Sequence, residues 1–583
     1  MKRFLGSIAA LVFAVAALAG CSSSGLVSGS QIVIAQFGSL DSINPDVAKI
    51  GNEHNANELA NLTSSSFFNT DASGELVANE LLGTVEVVTK NPLVVKYTLA
   101  DGVKWSDGTP IDSADLALSL AAGTSLGGIY FQSVRVGTGV SAANLDGEVK
   151  SGNSITVKFS RPVADYMNAV TLSVPAHVVA KLMDSTLADA GKSKQFILDV
   201  INKQKSEQIQ SLADVYRNAF AVDALKSSSS LEELSVSSGP YRVEKLSQSG
   251  EVTLVANSGY ALGEPTKVER VQLKYFGDAT AAVAAMVAGT VDISGAEDSG
   301  LVSLGELKTL SETATTKISS VLEGGALSEQ ILLNFAPGSV FSNDSRDAKS
   351  ALALRQAFLY AIPKQRILIQ TAARYMTSTS NSFVFDAASD YYQTTEHDNG
   401  SADYLIQDLE KSAEILDAAN ISTPIDVRVI FDTDNPRAQS EWLLLQDRAL
   451  QAGFNLINIS SPDPSRTIAR GEFDVFIGPR LLMSAPNSDI FQLSGNSLTA
   501  FRSEKVDALL SKYAVAEGLT KKKLLKDIDI ELFKSGFGLP LYEVPSMIFY
   551  SQRVTGFVPS PHCQSATWGY YNWSVPAPEA SAK

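Results

Sequence analysis

Alternation of apolar and polar residues predicts several short strands in the first third of the chain. Residues 62–80 read as two strands joined by an Asp-Ala-Ser-Gly turn, because Asp and Gly favour tight turns. Alternating or apolar runs at residues 85–99, 102–105 and 154–159 predict further strands. These segments together indicate a β-rich lobe that spans approximately residues 59–170.

Helical spacing and capping residues predict the helices. Apolar side chains within residues 354–362 recur at positions that share one helical face, so that face is expected in a core. Asp112 or Ser113 is expected to cap a leucine-rich helix, because short polar side chains accept hydrogen bonds from the first helical N–H groups. Asp278 should cap an alanine-rich helix that Gly289 closes in the left-handed conformation.

The last third of the chain reads as alternating strands and helices. Residues 425–431 (IDVRVIF) are a strand with one wetter face. Residues 435–453 follow as a helix begun by an Asn-Pro pair and ended by glycine. Further strands are predicted at residues 456–459 and 473–477, which indicates an α/β lobe. The helix is expected to bury Trp442, Leu445 and Leu450.

The amino terminus carries a processing signal. Two basic residues precede an apolar stretch at residues 4–19, which is shorter than the ~20 residues that a membrane-spanning helix requires. Residues 1–20 therefore read as a signal peptide. The Leu-Ala-Gly-Cys sequence at its end looks like the lipobox of bacterial lipoproteins, with Cys21 as the lipidated residue. Residues 21–30 are rich in Ser and Gly and predict a flexible tether.

Length and charge narrow the class of protein. The 563 residues after position 20 exceed what one hydrophobic core usually serves, so two or more lobes are expected in an exported, soluble part, held to the membrane by lipid. The net charge is -16, and -18 without Lys2 and Arg3. Because phosphate binding requires clustered basic residues, a nucleic-acid partner is not expected. A monomer is expected.

The chain carries no motif of a common catalytic or metal site. It lacks a Walker A loop, a Gly-x-Ser-x-Gly elbow, paired metal-binding cysteines and His-Glu-x-x-His. The only other cysteine, Cys563, has no partner for a disulfide if Cys21 is acylated. No catalytic residue, metal ligand or cofactor is therefore expected. Each histidine is isolated in sequence and is expected to be structural: His54, His177, His397 and His562.

A series of motifs resembles one protein family. Residues 101–115 read DGVKWSDGTPIDSAD, similar to the family pattern DGV-aromatic-x-DGTP-hydrophobic-x-A-x-D. The segments PAHVV (175–179), SSGPYRV (237–243), NSGYALGEP (257–265) and DATAAVAAMVAGTVDI (278–293) resemble family segments in the family's order. The chain is thus similar to the family 5 bacterial solute-binding proteins, the substrate-binding lipoproteins of ABC importers for peptides and nickel.

This resemblance implies an α/β, two-lobed periplasmic-binding-protein-like fold (type II, cluster C) with an extra β-rich domain. It places lobe I in residues 31–58, 171–266 and 545–583, the β-rich domain II in residues 59–170, and lobe III in residues 267–544. The crossings between the lobes would act as a hinge, and closure would bury the ligand. The implied partners are a peptide or other small-molecule ligand and an ABC permease at the extracytoplasmic face of the cell membrane.

The resemblance also implies where the ligand binds. In peptide-binding relatives, ligand backbone pairs with extended segments after the first strand and in the third lobe. Matched by position, the first segment comprises Phe37, Gly38 and Ser39. The second comprises Arg480, Leu481, Leu482 and Met483.

The second segment departs from the family pattern. Peptide-binding relatives often carry W-x-x-D-Y-x-x-P, whose aspartate receives the ammonium group of the ligand, and Met483 stands at that position. Asp489 is one candidate for a substitute acid; the other interpretation is a ligand bound without an amine contact. The apolar side chains near Arg480 favour a ligand with apolar bulk and a carboxylate.

Other functions remain open at this point. Within the same fold the ligand could be a nickel chelate, a haem or an oligosaccharide. From a different class, an exported hydrolase would need a nucleophile or acid/base pair that no motif supplies. A binding protein used in sensing or as a chaperone is the third alternative.

Overall fold

The computed structural model describes residues 25–48, 53–72, 76–124, 130–131, 133, 142–160, 163, 166–226, 231–294, 312, 317–372, 379–385, 387, 391–395, 398–462, 464–482, 498–513, 516, 518–559 and 565–577. The strands are β1 (Val27–Phe37), β2 (Ser65–Ser66), β3 (Phe68–Thr70), β4 (Leu76–Ala78), β5 (Gly83–Lys90), β6 (Leu93–Leu99), β7 (Ala143–Leu145), β8 (Ser154–Phe159), β9 (Thr171–Leu172), β10 (Tyr241–Leu246), β11 (Val252–Ala256), β12 (Val268–Phe276), β13 (Ile293–Ser294), β14 (Ile318–Leu333), β15 (Ile425–Ile430), β16 (Phe454–Asn458), β17 (Val475–Leu481) and β18 (Gly538–Ser551).

The α-helices are α1 (Glu53–Thr63), α2 (Ser113–Gly123), α3 (Ala176–Met183), α4 (Ala190–Lys203), α5 (Ser206–Asn218), α6 (Val222–Lys226), α7 (Leu231–Leu234), α8 (Ala279–Val287), α9 (Ala348–Ala361), α10 (Lys364–Ile367), α11 (Tyr392–Thr395), α12 (Leu409–Ala418), α13 (Pro436–Ala449), α14 (Ser465–Ala469), α15 (Glu504–Tyr513) and α16 (Gly518–Ser535). Within the described part of the chain, no helix has both the length and the apolar character needed to span a bilayer.

Ten of the described strands form one mixed sheet, in the order β10-β11-β12-β1-β13-β18-β14-β17-β15-β16. The strands of lobe I lie on one side of the central pair β18 and β14, and the strands of lobe III lie on the other side. This central pair is long, with 14 and 16 residues, and its two strands are antiparallel. The same two strands therefore belong to both lobes and connect them.

In lobe I, strand β1 has a different neighbour on each face. Ile32 and Ile34 are completely buried in the cluster that also contains Leu59 of α1. Ala35, on the opposite face, is buried with Val283 of α8. Helix α8 has the predicted cap, since Asp278 accepts a hydrogen bond from the Ala281 N–H at 2.8 Å. The predicted closing residue, Gly289, has a φ of 74°.

The boundaries of lobe III remain a prediction. Strand β12 begins directly after the predicted boundary at residue 267, and it pairs in parallel with β1 over most of its length. Helix α8, which follows β12, packs against the same strands. These two elements therefore lie with the lobe I part of the sheet.

The β-rich region contains a separate sheet in the order β5-β6-β8-β7, and the predicted hairpin is β3 paired with β4. Helix α2 begins as predicted, because Asp112 and Asp115 form a reciprocal capping box. The strand predicted over residues 102–105 is wrong. Its only ladder contact is a bridge between Lys104 and Pro110, because the Asp-Gly turns fold the segment back on itself.

Lobe III contains the predicted strand–helix–strand order. Asn435 caps α13 by accepting from the N–H groups of the first turn, at 3.0 and 3.4 Å. Trp442 and Leu445 are buried as predicted, but the prediction that Leu450 is buried is wrong, since Leu450 is 65% exposed. Leu450 lies seven residues after the exposed Leu443 and therefore shares the outer side of the helix.

The predicted core face of helix α9 is confirmed. Its apolar side chains are at most 2% exposed, and Pro363 follows the end of the helix at Ile362. The buried positions are Leu354, Ala357, Phe358, Ala361 and Ile362.

Gly239, in the Ser-Ser-Gly-Pro-Tyr motif, lies directly against the end of α1. A Cβ atom at this position would approach the Thr63 carbonyl carbon to 2.5 Å and the Ser64 nitrogen to 2.6 Å. We expect Gly239→Ala to lower the free energy of unfolding by about 1–3 kcal/mol, because backbone atoms would have to shift. Urea unfolding measures this change. The matched control is Gly152→Ala, which meets no atom within 4 Å; equal stability of both variants would contradict the close approach.

Candidate functional site

The sheet brings the strand ends of the two lobes face to face. β1 is parallel to β12 and β13, and β15 and β16 are parallel to β17. Because β13–β18, β18–β14 and β14–β17 are each antiparallel, the strands of lobe III run opposite to those of lobe I. The carboxyl ends of both sets therefore point toward the region between the lobes. Ligands in open α/β sheets bind outside the carboxyl ends of strands.

The register gives the separation of these ends. Phe37, the last residue of β1, lies level with Leu322 of β14, whereas Leu481, the last residue of β17, pairs with Leu327. Five residues of extended chain correspond to roughly 17 Å. The register between β1 and β14 runs through the pairs Ile34–Ile293, Ile293–Tyr550 and Tyr550–Ser319.

The segment after β1 is held by α1. Gly38 has a φ of 78°, which glycine adopts without strain, and its N–H donates to the Phe276 carbonyl at 2.9 Å. The side-chain amide of Asn55 donates to the carbonyl oxygens of Phe37 at 2.6 Å and Ser39 at 3.0 Å. The turn at residues 37–39 is therefore fixed to α1 through one side chain.

The segment in lobe III begins inside a strand. β17 extends through Leu481, so that Arg480 pairs with Ser328 of β14. On its other edge, β15 pairs with β17 only at Val475 and Phe476. Among the described strands, none pairs with that edge over residues 477–479. This edge has the geometry that an added extended chain requires.

Four buried polar side chains lie beneath the turn at residues 37–39. We call them the lobe I polar cluster: Gln36 of β1, Tyr275 of β12, and Asn55 and Glu58 of α1. Gln36 and Tyr275 are register partners in parallel strands, so they lie side by side on one face of the sheet. Asn55 and Glu58 are three residues apart, on one face of the helix that covers it. Their exposed fractions are 0% for Gln36, 3% for Asn55 and 2% for Glu58.

A second buried polar group lies in lobe III, beside the central strands. The Arg437 Nη2 and Glu329 Oε2 atoms are 3.0 Å apart, and both side chains are at most 2% exposed. Tyr542 donates a hydrogen bond to Glu441, which is also completely buried. Burial, and then the charge of Glu329, raise the pKa of Glu441 well above its usual range. The protonated form of Glu441 is thus favoured, which balances the single charge of Arg437.

Comparison with known proteins bears on this arrangement. The sequence model of the bacterial extracellular solute-binding proteins, family 5 Middle, matches residues 77–498, which is most of the chain. This chain belongs to family 5. The predicted family resemblance and the predicted two-lobed α/β periplasmic-binding-protein-like fold are therefore confirmed. Family 5 proteins are substrate-binding proteins of the kind that ABC transporters use.

Relatives and solved structures extend the comparison. An uncharacterized lipoprotein of Mycobacterium bovis, Mb2616c, is 25% identical over 524 residues, which cover 86% of each chain. The periplasmic EDTA-binding protein EppA has a TM-score of 0.70 at 19% identity and covers 95% of this chain and 98% of its own. The oligopeptide-binding protein AppA of Bacillus subtilis, solved with a nonapeptide, has a TM-score of 0.63 at 14% identity, with coverages of 94% and 99%.

Within this family 5 fold, the predicted site residues are only partly described. The turn at Phe37, Gly38 and Ser39 and the strand end at Arg480 and Leu481 face the region between the lobes. Leu482 is completely buried. Cys21, Met483 and Asp489 lie outside the described residues. The binding roles of all these residues stay predictions.

The described histidines have different surroundings. His177 Nε2 lies 2.8 Å from Asp107 Oδ2, which joins the PAHVV segment to the DGTP turn. Although burial acts in the opposite direction, hydrogen bonds from His177 and Thr109 lower the pKa of Asp107 to about 2. His54 is exposed, and the other two histidines lie outside the described residues. In the described part of the chain, no three His, Cys, Asp or Glu side chains are grouped so that they could hold a metal ion.

Sequence reasoning missed the lobe I polar cluster, although the sequence contains one indication of it. In residues 31–36, alternation places Ile32, Ile34 and Gln36 on the same face. A glutamine that continues an inward-facing apolar row is a buried polar residue that needs a partner. Its partners come from α1 and β12, which no local pattern could identify.

Proposed function

We propose that this protein is the lipid-anchored, extracytoplasmic substrate-binding component of an ABC importer and that it captures peptide-like solutes between its two lobes. The observation that carries this proposal is the pair of facing strand ends, joined only through the central strands β14 and β18. Rotation of one lobe toward the other would enclose a ligand in the region between them. The ligand favours the closed state because it contacts both lobes only there.

Two features support a peptide-like ligand. The edge of β17 at residues 477–479 has no described strand partner, so an extended ligand backbone can pair with it. Across the region between the lobes, the turn at residues 37–39 presents backbone groups from β1. A full-length similarity to an oligopeptide-binding protein is consistent with this ligand class. Main-chain pairing would supply affinity with little dependence on side-chain sequence.

The test is to identify the bound solute directly. We would purify the full-length protein in detergent, release any co-purified small molecule and identify it by mass spectrometry. The identified compound, added back to stripped protein, should raise the melting temperature, because a ligand that binds only the folded state stabilises it. X-ray scattering should then show a smaller radius of gyration with the compound than without it.

The outcomes separate the candidate ligands. Recovery of peptides, with a melting-temperature increase on re-addition, supports the proposal. Recovery of a nickel chelate, haem or oligosaccharide contradicts the peptide ligand and retains the binding class. Chemical conversion of an added compound by purified protein would contradict the binding function in favour of a hydrolase.

Lipid anchoring through Cys21 is a separate part of the proposal. We expect Cys21→Ser to move the protein from the membrane pellet to the soluble fraction, because the acyl chains contribute roughly 0.8 kcal/mol per buried methylene. Cell fractionation and immunoblotting measure the distribution. The matched control is Cys563→Ser, which changes the other cysteine and should leave the protein in the membrane. Retention of the Cys21→Ser protein in the membrane would refute this anchor.

A further inference from the structure

The lobe I polar cluster contains more buried polar atoms than its protein neighbours satisfy. Among the described residues, no hydrogen-bond partner lies near either side-chain atom of Gln36, the Oδ1 atom of Asn55 or the hydroxyl of Tyr275. Buried polar groups in folded proteins are nearly always paired, because an unpaired group has lost its water without replacement. Four such atoms in one cluster therefore indicate a place for a polar group from outside the chain.

The charge of Glu58 indicates what kind of group this is. Its carboxylate accepts a hydrogen bond from the Thr567 N–H at 3.0 Å. No Lys, Arg or His of the described chain forms an ion pair with it, although only 2% of the residue is exposed. A buried carboxylate without a cation is costly, so a positively charged group would stabilise this site.

The number of acceptors favours an ammonium group over other cations. Gln36 Oε1, Asn55 Oδ1 and the Glu58 carboxylate are three oxygen acceptors, and a primary ammonium group has three N–H donors. Burial, and then the charge of Glu58, raise the pKa of Tyr275, so its hydroxyl keeps its proton. The hydroxyl oxygen can still accept a hydrogen bond, and its proton is available to a carbonyl beside the ammonium group.

The position of the cluster connects it to the region between the lobes. Gln36 and Tyr275 are each one residue inside the strand ends Phe37 and Phe276, which face lobe III. The ring of Tyr275 is only half-buried, so the cluster reaches the surface there. Asn55 belongs both to the cluster and to the fixation of the turn at residues 37–39. Occupation of the cluster would thus be felt directly by the turn that is proposed to contact the ligand.

We propose that the lobe I polar cluster is a subsite that receives a primary ammonium group of the bound solute. This inference rests on the proposed function and adds the chemical class of the ligand group to it. It places the acid for that group at Glu58 in lobe I, on the opposite side of the region between the lobes from Met483.

The first experiment uses a peptide mixture and its blocked counterpart. Full-length protein in detergent is incubated with a tryptic digest of casein, and separately with the same digest acetylated at all amines. Captured peptides are quantified by mass spectrometry. We expect the unmodified digest to be captured at least tenfold more than the acetylated digest, and Glu58→Gln to remove this preference. The exposed Glu264→Gln in the same lobe is the control and should keep it.

The outcomes distinguish this inference from the proposed function. Equal capture of both digests by the unaltered protein, or an undiminished preference in Glu58→Gln, overturns the ammonium subsite and leaves the proposed function in place. Capture of neither digest contradicts the proposed peptide function.

A second measurement tests the subsite without a peptide. Melting temperatures are compared in methylammonium chloride and tetramethylammonium chloride at equal concentration, since only methylammonium has N–H donors. We expect a higher melting temperature in methylammonium for the unaltered protein and no difference for Glu58→Gln. Gln36→Leu should raise the melting temperature without salt and also remove the difference, because it replaces unpaired buried polar atoms by apolar ones. Equal melting temperatures of the unaltered protein in the two salts would overturn the inference.

Discussion

Replacement of Arg437 by Met is expected to destabilise lobe III by about 3–5 kcal/mol. Arg437 is the described cation beside Glu329 and Glu441, and its 3.0 Å contact with Glu329 is completely enclosed by protein. Met has a similar length and no charge, so the variant would leave Glu329 as a buried charge without compensation. Hydrogen exchange of the amides in β14 and β17 should show this loss locally, because Glu329 lies on β14.

Two controls make the Arg437 result specific. Arg470→Met removes an exposed arginine whose contact with Glu472 is 4.0 Å long, and it should change stability by less than 1 kcal/mol. The double variant Arg437→Met, Glu329→Gln removes the stranded charge and should recover much of the loss. If the double variant is as unstable as Arg437→Met alone, lost packing rather than charge explains the effect.

Asp529 is expected to make the stability of lobe III fall between about pH 4 and pH 6. Burial raises the pKa of this carboxyl group from 3.8 to about 6. The unfolded chain therefore releases this proton at lower pH than the folded chain does. The contribution of Asp529 is fully present below pH 3.8 and is lost as the pH rises through about 6. About two pKa units at 1.36 kcal/mol each correspond to about 3 kcal/mol.

The Asp529 effect is measured as a difference between variants. Calorimetric melting curves from pH 3.5 to pH 7.5 are recorded for the unaltered protein and for Asp529→Asn, which cannot titrate. Asp529→Asn will be less stable at every pH, because it disturbs the hydrogen bonds from Phe383 N–H at 2.9 Å and Asn399 Nδ2 at 2.8 Å. Its profile should be flatter between pH 4 and pH 6. The exposed Asp417→Asn should keep the original slope, and parallel profiles for Asp529→Asn and the unaltered protein would refute the assignment.

Local signals in the sequence predicted the elements of this fold well. The caps at Asp112, Asp278 and Asn435 are side-chain contacts with the next two or three residues, so sequence spacing alone defines them. The buried face of α9 follows from its helical spacing in the same way. The segment 102–105 failed because its alternation was not accompanied by strand partners, and two turns control its path.

The buried polar groups depend on contacts that sequence spacing does not encode. Arg437 and Glu329 are 108 residues apart, and Tyr542 and Glu441 are 101 residues apart. They meet because β14 and β18 are neighbours in the sheet and α13 packs beside them. The lobe I polar cluster likewise requires β1, α1 and β12 together. For this reason the predicted site consisted of motif-matched backbone segments, while its charged and amide side chains appear only in the folded chain.

The central strands have a consequence for how this chain can be rearranged. Gly324 and Pro545 are register partners, so the chain leaves lobe I and returns to it at adjacent points on one antiparallel ribbon. Everything between them, from the end of that ribbon onward, is topologically a single insertion. Such an insertion can be exchanged between relatives as one cassette with a single two-strand seam, which would allow chimaeras that combine the amine-facing half of one receptor with the opposing wall of another.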